Sequence, residues 1–186
     1  MAHGPSAAPQ LAAIVLTAIS AVAAHPARAS DHDWRVASDV GEVSLVALAL
    51  GATVEERDWP GGRQLALSLA ATEAETYGLK HAFPETRPNG RNNRSFPSGH
   101  TSIAFASAGY LHQRYGWQVG LPATLAAGLI GLARVEAHEH HWYDAVAGAA
   151  IGEATAFIIT RPRDGGVMLT PWADSRGAGF SLNARF

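Results

Sequence analysis

The sequence predicts an all-α protein: a compact bundle of about five core helices, preceded by a secretory signal and followed by a short β-hairpin. Three observations lead there. Apolar and small residues recur at three- and four-residue spacing through the interior, as in Leu65, Ala66, Leu69, Ala70, Ala74 and Tyr77. Breakers separate these runs, at Trp59-Pro60-Gly61-Gly62, at the prolines from Pro84 to Pro97, at Tyr115-Gly116 and at Pro162. Strict alternation of apolar and polar residues, the strand period, is confined to the tail beyond Val167.

Composition narrows the function classes. A chain of 186 residues has room for one domain with a real core. A net charge of -2 gives no bulk electrostatic case for nucleic acid or for an anionic membrane surface. With no cysteine there are no disulfides, iron–sulfur clusters, thiolate zinc sites or cysteine-borne lipid anchors. Nine histidines are many for this length, and most lie between His81 and His141.

Residues 1–29 read as a signal peptide. Leu11 to Ala24 is a continuous apolar or small run, and Ala27-Arg28-Ala29 is an A-x-A cleavage pattern before Ser30. The run is shorter than the ~20 residues of a spanning helix. The segment before it lacks Lys and Arg, a departure from the usual signal. Cleavage there implies a periplasmic or secreted mature chain over residues 30–186. The alternative is an uncleaved, membrane-embedded form with its working face to the periplasm.

The mature elements follow in order. Asp39 to Thr53, with Val43, Leu45, Val46, Leu48 and Leu50, reads as a buried helix. Gln64 to Lys80 is the second helix, and His81 to Pro97 is a long loop of a kind uncommon in compact domains unless functional. Ser98 to Arg114 is the third helix, with Pro97 suited to its first turn. Pro122, placed at a first helical position, opens a fourth helix to about Arg134. Asp144 caps a fifth that runs to Thr160. Val167 and Leu169, then Phe180, Leu182, Ala184 and Phe186, form two strands over about 165–186. Two strands cannot close a barrel, so a surface hairpin is expected. The apolar helical stretches run about 12 to 16 residues, below the length of a membrane span, which favours a soluble bundle.

Arg94-Ser95-Phe96-Pro97-Ser98-Gly99-His100 is the stretch with chemistry in it. Ser98 and Gly99 are small, so backbone N–H groups at a helix start can face an anion. His100, one step into that helix, is placed to exchange a proton with it. Two further pieces stand in register with this one: Lys80-(six residues)-Arg87-Pro88 before it, and Arg134-(five residues)-His140-(three residues)-Asp144 after it.

Together the three pieces resemble the tripartite motif of the type-2 phosphatidic acid phosphatase superfamily, which also holds bacterial class A acid phosphatases and vanadium haloperoxidases. The motif core covers 80–144. One departure is Ala133, where the family usually has a small hydroxyl residue before the arginine. The resemblance implies a phosphoric ester hydrolase in which His140 is the nucleophile, His100 the general acid and base, and Asp144 the residue orienting His140. It implies phosphate binding by Lys80, Arg87, Ser98, Gly99 and Arg134, with no metal and no cofactor.

The residue chemistry agrees. A phosphate monoester carries nearly two negative charges, and Lys80, Arg87 and Arg134 supply three positive ones, the arginines through planar forks that hold two oxygens at once. Arg91 and Arg94 lie in the same loop and widen the anion site or remain solvated. Glu136, His138, Glu139 and His141 crowd the third piece, but His138-Glu139-His140-His141 is not the zincin spacing. Two other functions compete: a vanadium-dependent haloperoxidase, whose vanadate takes the phosphate cradle, and a non-catalytic histidine-rich protein binding metal or phosphate. The expected partner is a phosphorylated small molecule or lipid, reached with a peripheral contact to a membrane. Soluble monoesters, isoprenoid diphosphates, phosphatidate and lipid A phosphates all fit the motif.

Overall fold

The structure is a computed structural model describing residues 29–163, 168–174 and 177–183; the expected signal peptide, apart from Ala29, lies outside the described residues. Five helices and two strands follow in order: α1 (Asp31–Glu55), α2 (Trp59–Ala82), α3 (Gly99–Tyr115), α4 (Trp117–Glu136), α5 (Trp142–Ile159), β1 (Met168–Asp174) and β2 (Gly177–Asn183). The fold is an all-α bundle. The strands pair antiparallel, with Met168 opposite Asn183 and Asp174 opposite Gly177.

Local signals explain most helix ends. α1 starts well before Asp39 because Ser30 and Asp33 form a capping box: Ser30 Oγ accepts from the Asp33 amide at 3.3 Å, and Asp33 Oδ2 accepts from the Ser30 amide at 2.9 Å. α2 begins on Asp58, which accepts from the Gly61 amide at 3.0 Å, with Pro60 in the first turn where no donor is needed. α3 starts at Gly99 with Ser98 as its N-cap, so Pro97 stands just outside the helix rather than in its first turn. Gly116, at φ +90°, ends α3 and begins α4. Pro122 therefore falls inside α4, past the turn whose N–H groups are free anyway, and not at its start. In α5 the N-cap is His141, and Asp144 sits in the first turn accepting from the His141 amide at 2.9 Å.

α3 is the hub and touches each of the other four helices. Its Ala104, Ala106, Ala108, Tyr110 and Leu111 are buried. Glycines let α5 lie directly on it: a Cβ on Gly152 would stand 2.1 Å from the Ser102 carbonyl oxygen, and one on Gly148 would stand 2.5 Å from that of Ser98. At the far end of α3, Arg114 grips buried Asp58 with Nε–Oδ2 at 2.5 Å and Nη2–Oδ1 at 2.6 Å. Tyr110 joins Thr53 there at 2.8 Å.

The helices are longer than the apolar stretches in them. α1 has 25 residues and α4 has 20, and both are long and apolar enough to cross a membrane, which corrects the length argument for a soluble bundle. Their outer faces agree: Val40, Val43 and Val54 on α1, Leu121, Leu125 and Leu132 on α4, and Val146 and Ile158 on α5 are all exposed.

Candidate active site

The three motif pieces meet at one end of the bundle, where α2 ends and α3 and α5 begin. The long loop between α2 and α3 is tied to itself by Glu85 and Arg94 in a β-bridge, with the Ser95 amide donating to the Glu85 carbonyl at 2.9 Å. Lys80 braces this loop. Its ammonium donates to the carbonyls of Pro97, Arg94 (3.1 Å) and Ser95 (3.4 Å), so in this state it holds the loop instead of standing free. Burial, reinforced by nearby Arg87, brings Lys80 down to about 8. The second wall is the turn 137–141, joined to the loop by the Asn89 amide donating to the His138 carbonyl at 3.1 Å.

His140 lies between these walls and is 2% exposed. Its Nδ1 faces Asp144 Oδ2 at 3.6 Å, beyond a hydrogen bond, and His140 Nδ1 and Asp144 Oδ1 are both buried without a hydrogen-bond partner. The pair is thus aligned but not closed. Burial pushes the His140 pKa below the usual histidine value; Arg87, Lys80 and Arg134 add to this and Asp144 opposes it. At neutral pH this favours the uncharged ring, which keeps a lone pair. Burial alone would raise Asp144, but the adjacent His140 ring and hydrogen bonds from the Ser95 hydroxyl (2.5 Å) and the His141 amide hold it at about 2.

No side chain caps the N-terminus of α3, so its first amides are available to an anion. The Ser98 amide is an exception to expectation: it donates to the Asp144 carbonyl at 3.0 Å and is already committed. Ser98 Oγ accepts from Thr101 at 2.9 Å. Gly99 follows Ser98 at the start of the helix, beside Lys80.

The expected arginines converge on an unexpected partner. Glu139, buried, accepts from Arg87 and from Arg91 at 2.9 Å, with Arg35 and Arg134 each 3.7 Å away. Burial opposes its charge, but Arg87 and Arg134 outweigh it and hold the carboxyl below its usual range. Arg134 also donates from Nη1 to Ser38 Oγ and to Asp39 Oδ1, both at 3.1 Å. His100 Nε2 lies 2.8 Å from Asp39 Oδ1 and 3.3 Å from Glu42 Oε2. Burial first, and then Arg134, takes His100 down to about 4, with Asp39 opposing.

Sequence reasoning missed the roles of Ser95 and Glu139 and the whole α1 contribution of Arg35, Ser38, Asp39 and Glu42. A signal for the last was present: these four stand at positions i, i+3, i+4 and i+7 in an otherwise apolar helix, one polar stripe. Of the residues raised as metal ligands, His138 pairs with Asp31 at 3.2 Å and Glu139 with arginines. Among the described residues, Glu85, His141 and Asp144 bring ligand atoms within 4.8 Å of one another. Beside the loop an apolar groove of about 940 Å³ runs between Leu79, Phe83, Phe96, Ala147, Ala150 and Ile151.

The fold and these residues have known relatives. The family model described as the PAP2 superfamily matches residues 61–164, and the chain belongs to that superfamily. It is similar to the lipid A 4'-phosphatase of Helicobacter pylori, 33% identical over 129 residues that are 63% of this chain and 62% of that protein. It is also similar to the lipid A 1-phosphatase of Porphyromonas gingivalis, 35% identical over 47% of this chain and 20% of that protein. The chain thus spans less than two thirds of either curated relative's length. The crystal structure of Aquifex aeolicus LpxE matches with a TM-score of 0.51 and 26% identity, over 63% of this chain and 82% of that one.

Proposed function

We propose that the protein is a membrane-associated phosphatase that removes a phosphoryl group from a lipid phosphate monoester, through a phosphohistidine and without a metal. The observation that carries the reading is His140: buried, neutral, and set among Lys80, Arg87, Arg134, Asp144 and the uncapped start of α3.

The chemistry follows from the geometry. Nδ1 of His140 faces Asp144, which leaves Nε2 for phosphorus. The bound phosphoryl draws Arg87 and Arg134 and the first amides of α3, supplying charge where the transition state spreads it. Nε2 forms the P–N bond as the bond to the leaving oxygen breaks, and His100 gives that oxygen its proton. Asp144 then balances the His140 imidazolium through Nδ1–H. Water attacks the phosphohistidine and passes a proton to His100; the P–N bond breaks and inorganic phosphate leaves.

The apolar groove beside the loop and the apolar outer faces of α1, α4 and α5 support a lipid substrate, as does the similarity to two bacterial lipid A phosphatases. In this reading residues 30–186 form one phosphatase domain, and residues 1–29 direct export to the periplasm. The test is release of phosphate from phosphatidate, lipid A and p-nitrophenyl phosphate in EDTA, with wild type beside His140→Ala. Lipid turnover by the wild type, a trappable phosphohistidine and loss of about a thousandfold or more in the variant are expected. Full activity in His140→Ala sinks the mechanism, and loss of wild-type activity in EDTA replaces it with a metal-assisted one.

A further inference from the structure

The phosphatase reading leaves a problem at His100. This ring must deliver a proton to the leaving oxygen in every turnover, yet it is half-buried beside cations. Arg134 faces it from α4 and His140 from the turn 137–141, and both disfavour its protonated form. An acid in that setting needs a counter-charge. Among the described residues, α1 supplies it. Asp39 Oδ1 stands 2.8 Å from His100 Nε2 and Glu42 Oε2 stands 3.3 Å from the same nitrogen. Behind them, Glu73 of α2 acts on Glu42 and Glu139 on Arg134.

We infer that Asp39 and Glu42 are positioning residues for the leaving-group acid: they hold the His100 ring by Nε2–H and keep it supplied with the proton it donates. The inference rests on the phosphatase reading.

Three features support it. The Asp39 oxygen that takes His100 also takes Arg134 Nη1 at 3.1 Å, so one carboxylate sets the proton donor relative to a guanidinium that binds the phosphoryl. The Asp39 side chain is 58% exposed and that of Glu42 22%, so the pair sits on the solvent-facing side of His100. And the two carboxylates occupy the stripe shared by Arg35 and Ser38, both of which also reach the site, Arg35 toward Glu139 and Ser38 toward Arg134. α1 thus ties the proton donor of the second motif piece to the arginine of the third.

A residue that serves the proton donor is distinguished from a merely structural one by the leaving group. p-Nitrophenolate departs without a proton, whereas an alkoxide does not. The experiment compares kcat for octyl phosphate and p-nitrophenyl phosphate in wild type, Asp39→Asn and Glu42→Gln. For Asp39→Asn we expect a loss of about 100-fold on octyl phosphate and about threefold or less on p-nitrophenyl phosphate. Glu42→Gln should show the same selectivity at about tenfold. In both, the descending limb of the kcat–pH profile for octyl phosphate moves to lower pH, because removing a carboxylate makes His100 a stronger acid that holds its proton less. Equal losses on both substrates, or none on either, overturn the inference while leaving the phosphatase reading standing. A wild type that turns over neither substrate nor any lipid phosphate overturns both. Should Asp39→Asn fail to fold, Glu42→Gln reads the same ratio.

Discussion

At His140 the neutral ring is a consequence of burial, and it fixes two pH dependences. The pKa lies below the usual histidine value, so the unprotonated ring, the proposed nucleophile, persists to lower pH than an exposed histidine would allow. The acid limb of kcat/KM is therefore expected below 6.5, and a limb above that value would contradict the burial argument. The stability dependence has a definite sign. The unfolded chain binds this proton more readily than the folded one, so the contribution is complete above the ordinary histidine value and is lost as pH falls toward the lowered one. Urea midpoints for wild type should drop on going from pH 7.5 to 5.5, and His140→Asn should drop less. Ser95 is the second residue-level test. Its hydroxyl donates to Asp144 at 2.5 Å, and Ser95→Ala removes a bond to a charged group worth about 1.5–3 kcal/mol. The expected result is about a tenfold fall in kcat, as Asp144 loses its hold on its orientation. Unchanged kcat would mean that the His141 amide suffices.

The element that controls site geometry is the α3–α5 contact, where backbone meets backbone. Gly148→Ala drives a Cβ to 2.5 Å from the Ser98 carbonyl, and that carbonyl has no flexible end to swing aside. The start of α3 must shift, so activity should fall together with about 1–3 kcal/mol of stability. Gly128→Ala on α4 meets nothing within 4 Å and should instead stabilise by about 0.5–1 kcal/mol. Thermal unfolding and kcat for the two variants separate these outcomes. Most elements were legible because their apolar periodicity and breakers are local signals. Several boundaries were not, and two show why. The α1 start depends on the reciprocal Ser30–Asp33 cap, which a proposed cleavage point at Ser30 concealed. Pro122 reads as a helix start, but Gly116 at φ +90° lets the chain turn before Trp117 and puts the proline one turn in. The motif residues were legible from spacing alone. Asp39, Glu42 and Glu139 were not, since nothing in sequence brings α1 across to His100, or shows that a carboxylate beside His140 points into arginines.

Across the whole molecule the reacting end and the anchoring end are about 25 Å apart along α3. Arg114 and Asp58 close the far end. Their hydrogen bond, outweighing burial, holds Asp58 below the ordinary carboxylate value. The stability this provides is present above that value and is lost as pH falls through the lowered one. Arg114→Ala leaves the 3%-exposed Asp58 carboxylate unpaired and should cost about 3–5 kcal/mol, read as a lower urea midpoint with little change in KM. The outward Leu121, Leu125, Leu132, Val146 and Ile158 give a second whole-molecule expectation. The purified protein should enter the detergent-rich phase on cloud-point separation; recovery in the aqueous phase would remove the membrane from the proposed function.

Glu139 gives the resting site an internal tethered rival to phosphate. Four guanidiniums already share its carboxylate, so inorganic phosphate formed in the proposed reaction has to compete with a group that never diffuses away. Such a rival weakens product retention and favours turnover when phosphate accumulates. Glu139→Gln should make inorganic phosphate a tighter competitive inhibitor by roughly tenfold, about 1.4 kcal/mol, and slow its departure in a single-turnover burst. An unchanged inhibition constant would show that the arginines move to the product without letting go of Glu139.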